Sequence, residues 1–340
     1  RCMLSAQLSY DITDWLNISG RVRVDNTHTK YEQKLYASSN LTITEESTQG
    51  HYTISKPDET QTYADVLANI NKRFNDFSLV ANVGASIVNN RYEDLSYRGP
   101  IREKGIPNVF NVFDLDNTKK KARQDEWQEQ TQSVFASVEV GWKSMLYLTL
   151  TGRNDWASQL ANSSTPCFFY PSVGLSGVIS EMLTLPEFID YMKVRGSFSS
   201  VGMPYPRNLT SPTYEYDEAN QQWKPKTHYP IKDLKPERTN SWELGLDMRL
   251  FKDFSLGFSW YLANTFNQTF DPKVSVSSGY SKIYLQTGYV RNSGVELSLG
   301  YGHTWNNHLH WESNFTLSHN KNTIKDLVTS YIHPETGLPI

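Results

Sequence analysis

From Trp242 the chain alternates strictly. Trp242, Leu244, Leu246, Met248 and Leu250 are apolar, and Ser241, Glu243, Gly245, Asp247 and Arg249 between them are polar or small. A period of two sustained over about ten residues marks a strand with one apolar and one polar face. After a polar break at Lys252-Asp253 the pattern restarts, with Phe254, Leu256, Phe258, Trp260 and Leu262 on one face and Ser255, Gly257, Ser259, Tyr261 and Ala263 on the other. Two such runs across a tight turn predict a hairpin. Val295, Leu297, Leu299 and Tyr301 alternate with Glu296, Ser298, Gly300 and Gly302, and Leu309, Trp311, Phe315 and Leu317 resume the pattern after Asn306-Asn307.

The same reading predicts strands over 4–10, 15–25, 61–74, 77–89, 127–142, 168–180 and 192–201, with a further one starting at Leu146. Turns of a few residues are expected near Asp11, Asn75, Lys143, Phe251 and Asn306. Between them lie long polar or loop-like stretches at 26–59, 90–126, 154–167, 202–239 and 267–280. The 181–191 connection carries Pro186 and is expected to hold about one helical turn. Short and long connections therefore alternate along almost the whole chain. About twelve antiparallel strands with short turns at one end and long loops at the other is the anatomy of a transmembrane β-barrel. A soluble sandwich would put the apolar face against a second sheet, but its strands usually run about 5–6 residues, against about 9–11 for a tilted membrane strand. No repeat of propeller period is present. The fold class expected is all-β, an antiparallel transmembrane β-barrel.

Composition sharpens this reading. Of 340 residues only 38% are hydrophobic, and mean hydropathy is −0.56. No apolar run approaches the roughly 18 residues of a membrane helix, and barrel strands hide their hydrophobicity in alternation. The 20 Tyr, 15 Phe and 9 Trp suit the interfacial girdles of a barrel, or a sugar-binding surface. A net charge of −3 gives no footprint for nucleic acid. Cys2 and Cys167 lie too far apart in sequence to define a disulfide framework. Residues 3–10 already read as strand and the chain stops in a loop-like Gly337-Leu338-Pro339-Ile340, so an internal piece of a longer chain is expected.

Several separate strings also resemble one family. Leu234-Lys235-Pro236-Glu237 leading to Ser241-Trp242-Glu243-Leu244-Gly245-Leu246-Asp247 is similar to the barrel of the SusC/RagA group of TonB-dependent transporters. So are Gly279-Tyr280-Ser281, Asn292-Ser293-Gly294-Val295-Glu296-Leu297 and Ser318-His319-Asn320-Lys321-Asn322. Arg153-Asn154-Asp155, Phe169-Tyr170-Pro171-Ser172-Val173-Gly174-Leu175-Ser176 and Val194-Arg195-Gly196-Ser197-Phe198 resemble further family strands, and the strings come in the family's order along 150–325. Before residue 130 the match is one of pattern alone. The resemblance implies a barrel of about 22 strands, of which residues 1–340 would be the central part, without the plug domain and the C-terminal strands. It implies TonB-dependent import of an oligosaccharide, or of a peptide in the RagA manner, across the outer membrane of a Bacteroidetes-like Gram-negative bacterium. The implied partners are a SusD-like lipoprotein lid, TonB-ExbB-ExbD acting through the N-terminal part, outer-membrane lipid, and a second copy in a dimer of heterodimers. No covalent chemistry is implied.

Ligand contacts are expected from polar-face positions near the long loops, or from the loops themselves. The candidates are Tyr214, Tyr216, Trp223 and Tyr229 in the 202–239 loop, and Tyr280 and Tyr289 in a second set. An aromatic ring offers a sugar a flat apolar face and a polar edge at little entropic cost. The alternative is that these rings pack the loop or meet the lid. Glu243, Asp247, Arg249 and Glu296 would be costly against lipid, so they are expected to face inward, pairing across the lumen or touching the plug. Lys119-Lys120-Lys121 reads as a solvated loop tip, with attraction of an anionic partner as the alternative. His303, His308 and His310 flank one turn; a metal site would need convergent geometry and usually a carboxylate or Cys helper, so a solvated turn is expected. No cofactor is expected. Asp114-Leu115-Asp116 lacks the Gly and Glu of an EF-hand loop, and a Ca2+ ion held by other loop carboxylates stays open. There is no Gly-x-Ser-x-Gly, His-Glu-x-x-His or Walker loop. Among 36 acidic residues a pair at glycosidase spacing is guaranteed by chance, so an enzyme is not expected. The rival to a transporter is a soluble or surface-attached β-rich glycan-binding module.

Overall fold

The computed structural model describes residues 1–161, 163–207, 209, 214–217, 221–225, 228–229, 235–271, 282–305 and 308–326. Strands dominate. They are β1 (Cys2–Thr13), β2 (Leu16–His28), β3 (Tyr31–Leu35), β4 (His51–Ser55), β5 (Asp58–Phe74), β6 (Phe77–Pro100), β7 (Lys121–Trp142), β8 (Leu146–Ala157) and β9 (Cys167–Val178). They continue as β10 (Ile189–Met203), β11 (Tyr214–Asp217), β12 (Gln222–Pro225), β13 (His228–Tyr229), β14 (Glu237–Leu250), β15 (Phe254–Phe270), β16 (Lys282–Ile283), β17 (Leu285–Trp305) and β18 (Leu309–Asp326). The α-helix α1 (Ile179–Met182) is a single turn, starting two residues before the connection in which it is expected. Among the described residues no helix is long and apolar enough to cross a membrane, which says nothing of a β-barrel.

Twelve strands follow one hydrogen-bonded order, β1-β2-β5-β6-β7-β8-β9-β10-β14-β15-β17-β18, and β3 and β4 join the same sheet beside β6. From β8 to β18 each neighbour runs antiparallel in a long, defined register. That register carries the alternation across the sheet. Leu244 lies opposite Trp260 and Trp260 opposite Val295, while Leu246 lies opposite Phe258 and Phe258 opposite Leu297. On the other face Glu243 meets Tyr261, Gly245 meets Ser259, and Ser259 meets Glu296.

The apolar face is not covered. Trp242 is 52% exposed and Leu244 is 56% exposed, and Phe258, Leu299, Phe315 and Leu317 are exposed beside them. Most of the few buried apolar side chains lie instead in the connections. Ile101, Leu115, Leu160, Tyr205 and Leu209 are there, while Tyr52, Ala81 and Ala157 lie in β4, β6 and β8; Ala157, Leu160, Tyr205 and Leu209 form one cluster, packed by Phe168 and Tyr284. A sheet of 14 to 24-residue strands such as β14 and β6 that exposes its apolar rows needs a solvent other than water, since monomers in water rarely leave apolar patches beyond a few hundred Å². Lipid is that solvent.

The chain divides into two compact units: Arg1–Ser9, Gly20–Val66 and Ser86–Thr131 in the first; Tyr10–Ser19, Leu67–Ala85 and Gln132–Ile340 in the second. In the first, β3 pairs with β4 and β4 with β6, setting His51 opposite Pro100. The Ser47 hydroxyl donates to the Ile101 carbonyl at 2.7 Å and the Ile101 N–H to the Gly50 carbonyl at 2.8 Å. In the second, the short turns are tied to their neighbours: the Val178 N–H donates to the Met145 carbonyl at 2.7 Å and the Phe251 N–H to the Phe188 carbonyl at 2.9 Å.

The 26–59 stretch differs from its expectation, because it contains the β3–β4 hairpin rather than loop alone. The 202–239 stretch likewise contains the β11–β12 hairpin. Several strands run on past their alternating segments. β6 continues to Pro100 instead of ending at Asn89, β7 begins at Lys121 instead of Trp127, and β15 continues to Phe270. Beyond the lipid belt both faces of a strand are wet. The alternation then vanishes while the backbone ladder continues.

Candidate functional site

The described aromatic candidates lie on β11, β12, β13 and β17. Tyr216 and Trp223 stand directly opposite each other on β11 and β12, with ring centroids 5.4 Å apart and planes at 64°. Trp223 is 68% exposed and Tyr216 46% exposed, so the hairpin presents an edge-to-face aromatic pair to solvent. Tyr214 is two positions back along β11, opposite Pro225. Tyr229 lies in β13, paired in parallel with Ile283 of β16. Tyr280 lies outside the described residues. Tyr289 is on β17 with its ring stacked on Phe266 at 4.8 Å, and its hydroxyl lies 3.1 Å from the Asn264 carboxamide oxygen. Arg291 donates to both, at 2.6 Å to the Tyr289 hydroxyl and 3.0 Å to Asn264. That ring is part of a strand-to-strand network between β15 and β17.

The polar face carries further networks that periodicity alone did not single out. In the second unit the Arg195 guanidinium lies over Gly245, reaching Glu243 at 3.3 Å and the Ser259 hydroxyl at 2.8 Å. Glu243 thus pairs along the sheet with the neighbouring strand, not across a lumen. Asp247, Arg249 and Glu296 share its face by register. Nearer the long connections Arg153 donates to Asp155 at 2.7 Å and to the Ser133 hydroxyl at 2.7 Å, and its cation sits 5.6 Å from the Phe135 ring. These are the arginine and aspartate of the Arg-Asn-Asp string, so the motif builds a half-buried brace between neighbouring strands.

In the first unit the ladder is denser. Arg21 donates to Asp65 at 2.9 Å, and Arg21 and Arg23 approach the Tyr63 ring to 5.3 and 5.6 Å. Arg23 donates to Gln61 at 3.1 Å, and Gln61 to Asn90 at 3.0 Å, crossing three strands. Tyr92 and Trp127 stack at 5.4 Å with planes 13° apart. Beside them is a polar cleft of about 470 Å³ lined by Trp127, Gln61, Asn90, Glu59 and Asp25. None of these stood among the expected residues. Tyr92 and Trp127 are far apart in sequence and meet only because β6 and β7 are neighbours, which a single sequence does not print.

The remaining charge expectations resolve into local contacts. The Lys119 ammonium donates to the Glu45 carbonyl at 3.1 Å, and that of Lys120 to Asn117 at 3.3 Å. His303 binds Asp253 at 2.8 Å and His310 binds the Thr304 hydroxyl at 2.9 Å, so the histidines do not converge. Asp114 holds Arg102 at 2.6 Å, and Asp116 accepts from the Thr118 N–H at 2.8 Å and hydroxyl at 2.6 Å. Among the described residues no three His, Cys, Asp or Glu side chains are grouped to hold a metal ion.

With this geometry in hand, comparisons with known proteins agree among themselves. Residues 3–335 match the family model described as TonB dependent receptor-like, beta-barrel. TonB-dependent receptor P26 of Formosa agariphila is 26% identical over 226 residues, which are 64% of this chain and 23% of that protein. TonB-dependent receptor P39 of the same organism is 24% identical over 275 residues, 76% of this chain and 25% of that protein. The chain therefore spans about a quarter of the length of the curated relatives it matches. Among solved structures, the RagAB peptide transporter superposes with a TM-score of 0.81 at 18% identity, over 99% of this chain and 38% of that one. The siderophore receptor PiuA from Acinetobacter baumannii gives 0.59 at 14% identity, over 99% and 48%. The SusC/RagA resemblance carried by the motif strings agrees with these matches. On the family match, the alternating strands and their order, the chain belongs to the TonB-dependent receptor-like β-barrel family.

Proposed function

We propose that the protein containing this chain imports a nutrient across the outer membrane, an oligosaccharide or a peptide, without covalent chemistry. Energy comes from TonB with ExbB and ExbD, a SusD-like lipoprotein serves as the lid, and the assembly is a dimer of heterodimers. The observation that carries the reading is the pairing of an exposed apolar face with an opposite face of polar and small residues on the same long strands. One face meets lipid, and the other is left for a wet interior. The family supports receptor action, and the RagAB neighbours, described as a peptide importer, support import of such a nutrient by analogy of fold. The exposed Tyr216–Trp223 pair suits a glycan or a lid contact.

The test is a deletion strain supplied in turn with neutral glycans and with peptides. Uptake of one nutrient class should fall in the deletion strain and equally in a strain lacking TonB. Uptake that persists without TonB overturns the energy coupling. A protein that stays in aqueous solution without detergent overturns import altogether and leaves the glycan-binding module.

A further inference from the structure

We propose that the cleft of the first unit, walled by Trp127, Gln61 and Asn90, is a subsite for a neutral oligosaccharide; the inference rests on the import reading, gives it a place on the chain and narrows its two substrate classes to one. The cleft holds about 470 Å³, within the roughly 300–1,000 Å³ range of small-molecule sites. Its shape is fixed from behind. Stacking on Tyr92 sets the plane of the half-buried Trp127. The Arg23–Gln61–Asn90 chain sets the two carboxamides. A carboxamide carries two N–H donors and an oxygen with two lone pairs, so that chain does not by itself exhaust either group. Thr27, Thr60 and Glu59 add a hydroxyl pair and a carboxylate to the lining. An aromatic wall with fixed planar amides beside it suits a pyranose, which has apolar C–H faces and hydroxyls around its rim.

The charges argue against an acidic ligand. Both arginines of the cleft already have carboxylates beside them. Arg1 grips Asp25 through two nitrogens, with one contact of 3.0 Å, and Arg91 is paired with Glu93. Each guanidinium keeps N–H donors outside its pair, but its charge is balanced by its partner, and the Asp25 and Glu59 carboxylates in the lining repel an anion. A neutral polyol meets no such repulsion.

The probe set is partial hydrolysates of starch, cellulose, xylan, laminarin and mannan, with a tryptic peptide mixture as the contrast. The full-length receptor in detergent is titrated by calorimetry, and the same variants are returned to the deletion strain for uptake. At least one glycan hydrolysate should bind. Trp127→Ala and Asn90→Ala should each weaken it at least tenfold, while Trp127→Phe, which keeps a ring on Tyr92, should stay within about threefold. Heat-modifiable migration in SDS checks that each variant folds. Binding of peptides alone, binding of no hydrolysate, or equal glycan binding by folded Trp127→Ala each overturns the subsite. Import is read separately. If the deletion strain loses uptake and Trp127→Ala restores it fully, the subsite falls and import stands. If the deletion strain loses no uptake while the purified receptor binds glycan through Trp127, import falls and the subsite stands.

Discussion

Gly245 and Gly294 hold two of the tightest approaches on the polar face, and they would fail differently. A Cβ on Gly245 would sit 2.1 Å from Arg195 Nε and 2.8 Å from its Cγ, both on a flexible side chain. Gly245→Ala should therefore swing Arg195 away from Glu243 and Ser259, at the roughly 0–1 kcal/mol of an exposed ion pair. A Cβ on Gly294 would sit 2.5 Å from the His319 carbonyl oxygen, which belongs to the β18 backbone. Gly294→Ala should force the strands apart, costing about 1–3 kcal/mol as overpacking does. Urea unfolding in detergent should rank them in that order, and equal losses would contradict the reading. Both glycines lie in family-like strings, so their identity was legible while their reason was not; the reason is the residue across the ladder. His51 gives a second prediction at this scale. Burial holds its imidazole below the ordinary value; Glu45 pulls it up, by charge and by hydrogen bond, and Arg98 pushes it down. Folding then releases protons, so the stability His51 contributes is complete above the unfolded pKa of about 6.5 and drains as pH falls through the folded one. Hydrogen exchange of the 44–52 and 98–116 amides, corrected for intrinsic rate, should quicken from pH 7 to 5, and His51→Asn should flatten that dependence. Asp116, held low by Thr118, keeps its contribution above about pH 4 and loses it only below, which leaves the window to His51. The same slope in the variant would remove His51 from the account.

At the scale of elements, the short turns are the most legible part of the chain, and they are strained. Asn75, Lys143, Ser144, Phe251 and Lys252 all have positive φ, near 50–63°. A left-handed residue other than glycine costs roughly 1–2 kcal/mol, so neighbouring elements must hold these turns. For the β14–β15 turn the holder is the α1–β10 connection. The Phe188 ring stacks on Phe251 at 5.6 Å, and the Asp190 carboxylate accepts from the Lys252 N–H at 2.6 Å. His303 on β17 adds its bond to Asp253. Asp190→Ala should cost about 1 kcal/mol and Asp190→Asn, which keeps an acceptor oxygen, much less. The midpoint of urea unfolding in detergent reads the difference, and equal shifts would show that the carboxylate is not the tie. The β3–β4 and β11–β12 hairpins were not legible, for a reason that also hides the cleft. Beyond the lipid belt no face is required to be apolar, so strands there carry no period, and what they bring together depends on pairing. Tyr216 and Trp223 could be picked as loop aromatics, but Trp127, Gln61 and Asn90 could not be joined without the β5–β6–β7 order.

For the whole molecule, the solvent of the apolar face decides everything else, and the family places that face in the outer membrane of a Gram-negative bacterium. Few apolar side chains are buried among the described residues, and most of them sit in the connections. The strands are therefore held by backbone ladders and polar-face networks, and the lipid supplies the apolar environment that a second sheet would supply in a sandwich. This inverts the usual effect of substitution. A charge placed on the apolar face should be the costly change, at about 2–4 kcal/mol for Arg near the bilayer midplane, while positions on the opposite face tolerate it. Leu244 and Ser241 on β14 make the comparison, since they are three residues apart on opposite faces and both lie within the paired register. Leu244→Arg in the full-length protein should lower folding into lipid vesicles by that amount, measured by urea titration with heat-modifiable migration as the readout. Ser241→Arg should stay within about 1 kcal/mol. Had the apolar face met a protein partner in water, Leu244→Arg would instead weaken association and leave vesicle insertion unchanged. Equal tolerance at both positions would mean that neither face meets lipid, and the membrane assignment of these strands would fail with it.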